Sequence, residues 1–528
     1  MIAKLSDDLQ YITLFFETEA EQLQTSVYFR KKIDNFHFLQ KKLKAKGKRL
    51  DGIINYMIGA DKLKSTQWSN LMTMCERFGF PIQLQNFDNL IRDNITYDQV
   101  KKFCYSMTEH IDDIVPYDYQ VESIYNAYKY RFSRLDVGTG GGKTLTMYLL
   151  MMLLRYTGQA HHILIIEPDP QYVIQTYQEF TDYSNGRFNL KMGMAYGDSK
   201  DKKNIGKFDH IIGNFQTLAN LDETFLSKFD TVFCDESHRS TSSSIMNIIK
   251  NCGVLMNRVG LSGSHPKVGD NSEHFTNEDN FGLISYIISK RDLVSAGATT
   301  DCKIKQIIID FASDKEKLQL AIDKEYIDDP EKKLRYEQQF VRSHRRLFEW
   351  KCQLVSKMKG NTLVYFTDKK GGYGKQIYER LIELNIYQNL GKKIYFIDGD
   401  VEVSTREIIK SEIKNHTEGN CILVANYLTF STGQSIKNLV NILYGEAFKS
   451  STTNNQTMGR LARLYEGKDM TYIYDVVEST NTKKQNLTTG KLESIVSYMH
   501  KWGKERYSYY VSEEFEVEQI KINISKDY

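Results

Sequence analysis

The sequence predicts an α/β protein: two parallel-sheet lobes in tandem, preceded by a small α+β accessory domain and followed by a short C-terminal extension. From Tyr117 onward, short apolar runs alternate with helical patterns, the texture of a parallel sheet buried on both faces. The same texture restarts near residue 301, whereas residues 1–115 carry charged helical patterns and a basic stretch but no glycine-rich loop. These breaks divide the chain into 1–115, 116–300, 301–490 and 491–528. Several domains are expected, because 528 residues greatly exceed the usual domain of about 100 to 150.

In the first lobe, Arg134–Val137 reads as the end of a strand that feeds an apolar helix, Leu145–Leu154. Further strands are expected at His161–Glu167, Asp209–Gly213, Asp230–Asp235 and Arg258–Ser262. Gly269–Asn280 (GDNSEHFTNEDN) is so polar that it reads as a surface loop. In the second lobe, Ser313–Met358 reads as leading helices, and strands are expected at Lys303–Phe311, Thr362–Phe366, Lys393–Ile397, Cys421–Ala425, Leu439–Tyr444 and Met470–Val476. Beyond residue 490 a helical piece precedes a segment in which Phe515 and Val517, then Ile520, Ile522 and Ile524, alternate as in a strand.

A hydrophobic fraction of 41% and a charged fraction of 26% are those of a soluble globular protein. A net charge of +3 is too small to imply nucleic-acid binding, so local patterns must decide. The seven cysteines are scattered, odd in number and form no Cys-x-x-Cys pair, which argues against a disulfide framework or structural zinc and favours a reducing cytoplasm, a host's if the source is viral. No N-terminal signal pattern is present, and no apolar run approaches the ~18 residues of a membrane span.

The motif Val137-Gly-Thr-Gly-Gly-Gly-Lys143-Thr144 lies where a strand meets a helix, so its backbone N–H groups can cradle phosphates. Gly138, Gly140 and Gly142 allow close approach, Lys143 would reach the β- and γ-phosphates, and Thr144 would hold Mg²⁺. The strict pattern has glycine where Val137 stands. Asp235-Glu236-Ser237-His238 follows an apolar run and therefore sits at the C-terminal end of a strand, where α/β sheets bind ligands. Asp235 would position Mg²⁺ and Glu236 would orient or deprotonate the attacking water. Far downstream, Gln456-x-x-Gly-Arg460-x-x-Arg463 puts two arginines on one helical face, suited to charge developing on a γ-phosphoryl group. Together they describe an ATP-hydrolysing motor that needs both lobes.

Tyr117-Asp-Tyr-Gln120, the glycine loop, DESH, Gly260-Leu-Ser262-Gly-Ser264, Phe430-Ser-Thr432-Gly433 and QTMGRLAR occur in the order of the motifs of superfamily two helicases, which the chain resembles over some 350 residues. Within that superfamily it is most similar to the phage UvsW-type branch-migration helicases, through Gly260–Ser264, Tyr395–Asp400 and Phe430–Leu439. The resemblance implies RecA-like lobes and ATP with Mg²⁺. It implies that Gln120 reads adenine with Tyr117 stacking, and that Gln456 belongs to the nucleotide site. His238, Ser262, Ser264 and Gly433 would couple hydrolysis to nucleic acid, with Thr217 and Thr432 near the strand. The family has Pro-Thr where this chain has Pro168-Asp169. Phe29–Lys32, Gly52, Asn55-Tyr56 and Cys75–Phe80 extend the resemblance into the N-terminal domain, whose Lys41, Lys42, Lys44, Lys46, Lys48 and Arg49 are suited to phosphates of a duplex. Phe36 and Phe38 read as part of a small core.

The expected substrate is forked, branched or R-loop DNA, with recombination or replication proteins as partners and no membrane. Two alternatives stay open: a helicase of RNA or RNA–DNA hybrids, and an ATP-gated clamp that binds without unwinding.

Overall fold

The computed structural model describes residues 1–33, 53–112, 114–138, 140–197, 199–265, 271–367, 372–416, 419–426, 436–446, 465, 468–485, 491–512 and 514–525. The chain forms two compact units, Met1–Ile288 and Ser289–Tyr528.

The first unit opens with a small mixed sheet made from β1 (Ile2–Leu5), β2 (Tyr11–Phe15), β5 (Met57–Ile58), β6 (Lys62–Lys64) and β7 (Gln83–Gln85). Beside it, β3 (Arg30–Lys32) pairs with β4 (Ile53–Asn55). Helices α1 (Glu19–Tyr28), α2 (Trp68–Phe78) and α3 (Tyr97–Thr108) accompany these strands. Alternation in β2, where Ile12 and Leu14 are buried, gives the sheet one apolar face.

Helix α4 (Asp118–Lys129) leads into a seven-stranded, wholly parallel sheet: β8 (Phe132–Val137), β9 (Ile163–Glu167), β10 (Met192–Ala195), β11 (His210–Asn214), β12 (Thr231–Asp235), β13 (Asn257–Ser262) and β14 (Leu283–Ile288). Strands β9 and β11 are buried at every residue, as helices on both faces require. Two of those helices are α5 (Lys143–Tyr156) and α6 (Pro170–Ser184). All of Leu145–Leu154 is buried, so α5 is a core helix with no solvated face. Strands β10 and β14 have no counterpart in the apolar runs picked out from sequence.

The expected surface loop is corrected here. Residues Ser272–Phe281 form a helix, α7, in which all but Glu273 are buried. Asn271 caps it, its Oδ1 accepting from the His274 amide at 2.8 Å. Its polar side chains are buried because both sides supply partners: Thr276, Glu278 and Asp279 meet Tyr56, the Asn70 backbone amide and Lys64, while Asn277 and Asn280 meet Ser240. Phe275 packs against the rings of Tyr28, Phe29 and Tyr56 at 5.4–5.9 Å and, with Phe132, joins the apolar cluster of the first sheet.

The second unit contains another wholly parallel seven-stranded sheet: β15 (Asp301–Asp310), β16 (Asn361–Phe366), β17 (Lys393–Ile397), β18 (Cys421–Asn426), β19 (Leu439–Tyr444), β20 (Met470–Ser479) and, after a small hairpin β21 (Thr482–Gln485) and β22 (Leu492–Ile495), β23 (Glu516–Asn523). Numbered in chain order within each sheet, the strands of both lobes run 3-4-2-5-6-1-7. The C-terminal strand β23 pairs with β15 along its whole length, so the alternating tail completes the second sheet. Helices Asp314–Glu325, Pro330–Ser343 and Arg345–Lys357 occupy the stretch read as leading helices. All seven cysteines are buried and free, and no helix of the described residues is long and apolar enough to cross a membrane.

Candidate functional site

Parallel register brings the chemistry of the first lobe to one edge. Ser262 of β13 pairs with Asp136 of β8, Asp235 of β12 with Leu261, and Asn214 of β11 with Glu167 of β9, so five strand ends converge at the C-terminal side of the sheet. Binding sites of parallel α/β sheets form at this edge.

Between β8 and α5 the glycine loop turns tightly, with the Gly141 amide donating to Gly138 O at 3.0 Å. Gly142 precedes the helix at φ 70°, and a Cβ there would run into the Gln120 side chain, so the backbone and the packing both require glycine. Gln120 is 2% exposed. Its Nε2 donates to Gly142 O at 3.2 Å and its Oε1 accepts from the Tyr117 amide at 2.9 Å, tying the start of α4 to the loop. Tyr119 OH holds Gly141 O at 3.0 Å, while the Tyr117 ring stacks on Tyr119 at 5.4 Å. Gly138 and Gly140 lie in the loop and Thr144 directly follows Lys143 in α5.

Lys143 Nζ lies 3.4 Å from Glu236 Oε1 and 3.8 Å from Asp235 Oδ1. Burial would lower the ammonium, but the two carboxylates outweigh it and hold its pKa above the usual lysine range. Glu236 responds oppositely: burial would raise it, and Lys143 with His238 hold it below the usual carboxylate range. Asp235 is raised, because burial acts on it and Lys143 sits nearer to Glu236. Glu236 occupies the left-handed region at φ 48°, a conformation that costs a non-glycine residue of order 1–3 kcal/mol and concentrates at functional sites.

His238 Nδ1 is 3.3 Å from Glu236 Oε2, 2.9 Å from Ser262 Oγ and 3.2 Å from Ser264 Oγ, so the acids and the β13 end are linked through one imidazole. A Cβ on Gly263 would meet Gly138 Cα at 2.7 Å, which fixes glycine where β13 passes the phosphate loop. Thr217 is half-buried in a short helix, Phe215–Leu218, that follows β11 at the same sheet edge. Asp169 stands as N-cap of α6 with Pro170 at its first turn.

The structure thus brings together Tyr117, Gln120, Lys143, Asp235, Glu236, His238, Ser262 and Ser264. Gln456, Arg460, Arg463, Thr432, Gly433 and the basic cluster Lys41, Lys42, Lys44, Lys46, Lys48 and Arg49 lie outside the described residues, as do Phe36 and Phe38. Sequence reasoning missed Tyr119, and it missed Glu167, which is buried, accepts from Thr176 Oγ1 at 2.7 Å and is raised by burial and by Asp235. The signal for Glu167 was a lone acid ending an apolar run, which reads equally well as the strand's first solvated residue.

Nucleotide and metal fit the donors present. Asp235 Oδ1 is buried with no hydrogen-bond partner, an acceptor suited to a cation or its water. Among the described residues no three His, Cys, Asp or Glu are placed so as to hold a metal ion by themselves. Mg²⁺ needs no such cage, since it is commonly held by one or two protein ligands plus phosphates.

A glycine loop closed by a lysine that faces paired acids, set on a parallel sheet and followed by a second sheet of the same order, is the arrangement expected of superfamily two helicases, which the chain resembles. Residues 113–264 match the family described as type III restriction enzyme, res subunit. The chain is similar to the ATP-dependent DNA helicase uvsW of Enterobacteria phage T4, with 27% identity over 460 residues that cover 85% of this chain and 86% of that one. Among solved structures, the DNA-bound type ISP restriction-modification enzyme LlaBIII aligns with a TM-score of 0.53 at 16% identity over 86% of this chain and 34% of that one. Dbp5 of S. cerevisiae, bound to RNA and ADP BeF3, aligns with a TM-score of 0.51 at 11% identity over 81% and 96%. Both structural likenesses are likenesses of fold.

Proposed function

We propose that the protein is an ATP-driven DNA helicase or translocase that acts on forked and branched DNA and on R-loops, in a cytoplasmic setting. The observation that carries this reading is Lys143 held against Asp235 and Glu236 at the mouth of the glycine loop. Phosphates entering the loop would draw the ammonium away from the acids. Glu236, still partnered by His238, is then free to orient the attacking water and take its proton. Thr144 and Asp235 would hold Mg²⁺, which supplies charge neutralisation across the phosphate oxygens. Gln120 and Tyr117 are assigned to adenine, and Gln456, Arg460 and Arg463 to the remaining nucleotide contacts. His238, hydrogen-bonded to Ser262 and Ser264, would pass the state of the acids to the end of β13. Gly433 shares the coupling role, Thr217 and Thr432 contact the strand, and the Lys41–Arg49 cluster binds duplex phosphates.

Strand displacement measured side by side on forks, four-way junctions, R-loops and RNA–DNA hybrids tests the reading. Unwinding of hybrids alone would make the protein an RNA helicase, and ATP hydrolysis with no strand displaced anywhere would make it a clamp. Changing the six basic residues between Lys41 and Arg49 to Gln should weaken DNA binding and reduce its salt slope by about 0.9 for each phosphate no longer neutralised. An unchanged slope removes that cluster from the interface.

A further inference from the structure

Helix α7 is rich in polar residues and yet buried at every residue but Glu273. Burying an amide or carboxylate without a partner costs of order 1–3 kcal/mol, so each of its polar groups has to be met, and what meets them differs by side. On one side the N-terminal domain grips the helix. Tyr56 OH donates to Ser272 O, Gln67 Nε2 to Phe275 O and Thr66 Oγ1 to Asp279 O, each at 2.9 Å. The Asn70 amide donates to Glu278 Oε1 at 3.1 Å, and Glu278 Oε2 pairs with buried Arg134 of β8 at 3.1 Å. On the other side α7 grips the segment after the catalytic acids. Asn277 Oδ1 accepts from Ser240 Oγ at 3.0 Å and Asn280 Nδ2 donates to Ser240 O at 3.1 Å. Ser240 lies in the 3₁₀ turn Ser237–Thr241, whose N-cap is Glu236 and whose Arg239 amide donates to Glu236 O at 3.0 Å.

We propose that Asn277 and Asn280 are positioning residues for Glu236 and His238, and that α7 is the strut through which the N-terminal domain sets the geometry of hydrolysis. The inference rests on the ATPase reading above. Apolar packing would hold α7 in place equally well, but hydrogen bonds to one serine fix its register and direction against the turn. A shift of about 1 Å in a catalytic group costs up to 10²-fold in rate, so a slackened turn should appear in kcat and not in binding.

The test uses the full chain with Asn277→Ala/Asn280→Ala from the turn side and Thr66→Val/Gln67→Ala from the N-terminal-domain side. Ser240→Ala, which loses only the bond to Asn277, serves if a double variant fails to fold. Both sets should lower DNA-stimulated kcat roughly 10-fold or more while the KM for ATP and the Kd for a forked duplex stay within about twofold. Hydrogen exchange of the Arg239 and Ser242 amides should quicken in both. Folded variants with wild-type kcat and wild-type exchange overturn the proposal, as does a loss of kcat matched by an equal loss of ATP affinity. If the wild-type chain hydrolyses no ATP, the functional reading fails, and the exchange measurement still decides the strut.

Discussion

At the end of its fifth strand the first lobe carries Asp235 and Glu236, and just beyond its own fifth strand the second lobe carries Glu446. The lobes have the same strand order, and these acids occupy corresponding places in it. Their surroundings differ. Glu446 accepts from Arg342 and from both the amide and hydroxyl of Thr367, the latter at 2.8 Å, so its carboxylate is fully engaged within its own lobe. Asp235 keeps a buried oxygen without a hydrogen-bond partner, and Glu236 faces a lysine on a glycine loop that has no counterpart in the connection from β15 to β16. One architecture therefore hosts two different chemistries, and what separates them is which polar groups are left to be satisfied by something that arrives.

The largest effect should come from Lys143→Ala, which is expected to take nucleic-acid-stimulated ATPase to background. Glu446→Gln should keep ATPase and ATP affinity and lower unfolding stability by about 1–3 kcal/mol, the cost of disturbing a buried acceptor. Steady-state ATPase and chemical denaturation of both variants check the contrast, and equal loss of ATPase would break it. Next in size is Arg463→Ala, which should retain ATP binding and lose roughly 10³-fold or more in turnover, the worth of a guanidinium on a transferring phosphoryl group. Normal turnover in that variant would confine the chemistry to the first lobe.

Both sheets were legible because their central strands are continuous apolar runs, and strand ends such as Asp235 and Ser262 follow directly from the run that precedes them. Strands at the sheet margins were harder. Met192–Ala195 is four residues containing glycine and methionine, and Leu283–Ile288 is only half-buried, so neither carries the pattern of a central strand. The Lys143 site was legible because its residues are contiguous motifs. Helix α7 was illegible for a physical reason: SEHFTNEDNF looks solvated until Tyr56, Lys64 and Asn70, some two hundred residues away, supply partners for the side chains of Thr276, Asp279 and Glu278. Glu167 and Tyr119 were missed in the same way, since their significance lies in what other strands bring beside them.

A smaller effect separates the buried ion pairs of the two lobes. Arg506 donates to both oxygens of Asp475 at 2.7–3.1 Å, and Tyr510 OH completes the carboxylate at 3.1 Å. Arg134 pairs with Glu278 at 3.1 Å, and Glu278 also has the Asn70 amide and His274. Removing one member of a buried pair costs about 3–5 kcal/mol when the other is left uncompensated. Arg506→Ala should fall in that range, because it removes a guanidinium that donates to both oxygens of Asp475, whereas Arg134 reaches only one oxygen of Glu278. Arg134→Ala should cost less, and urea unfolding that ranks them the other way would show that the Glu278 partners outside β8 carry little.

The smallest difference is one of pH. The first residue of the fourth strand is His210 in the first lobe and Cys421 in the second. His210 is 1% exposed, its Nδ1 accepts from the Ile163 amide at 3.3 Å, and burial, with Arg155 nearby, lowers its pKa from 6.5 to about 4. The native ring is therefore neutral where the unfolded ring is protonated. Between those two values the unfolded state binds more protons, so stability is intact above pH 6.5 and declines as the pH falls towards 4, by roughly 2–3 kcal/mol at the bottom of the window. His210→Asn keeps an acceptor for Ile163 but has nothing to titrate there. It should be somewhat less stable than wild type at neutral pH and lose less on acidification, so that the two unfolding free energies converge between pH 6.5 and 4. Parallel curves across that window would place the acid sensitivity of the first lobe elsewhere than at the head of β11.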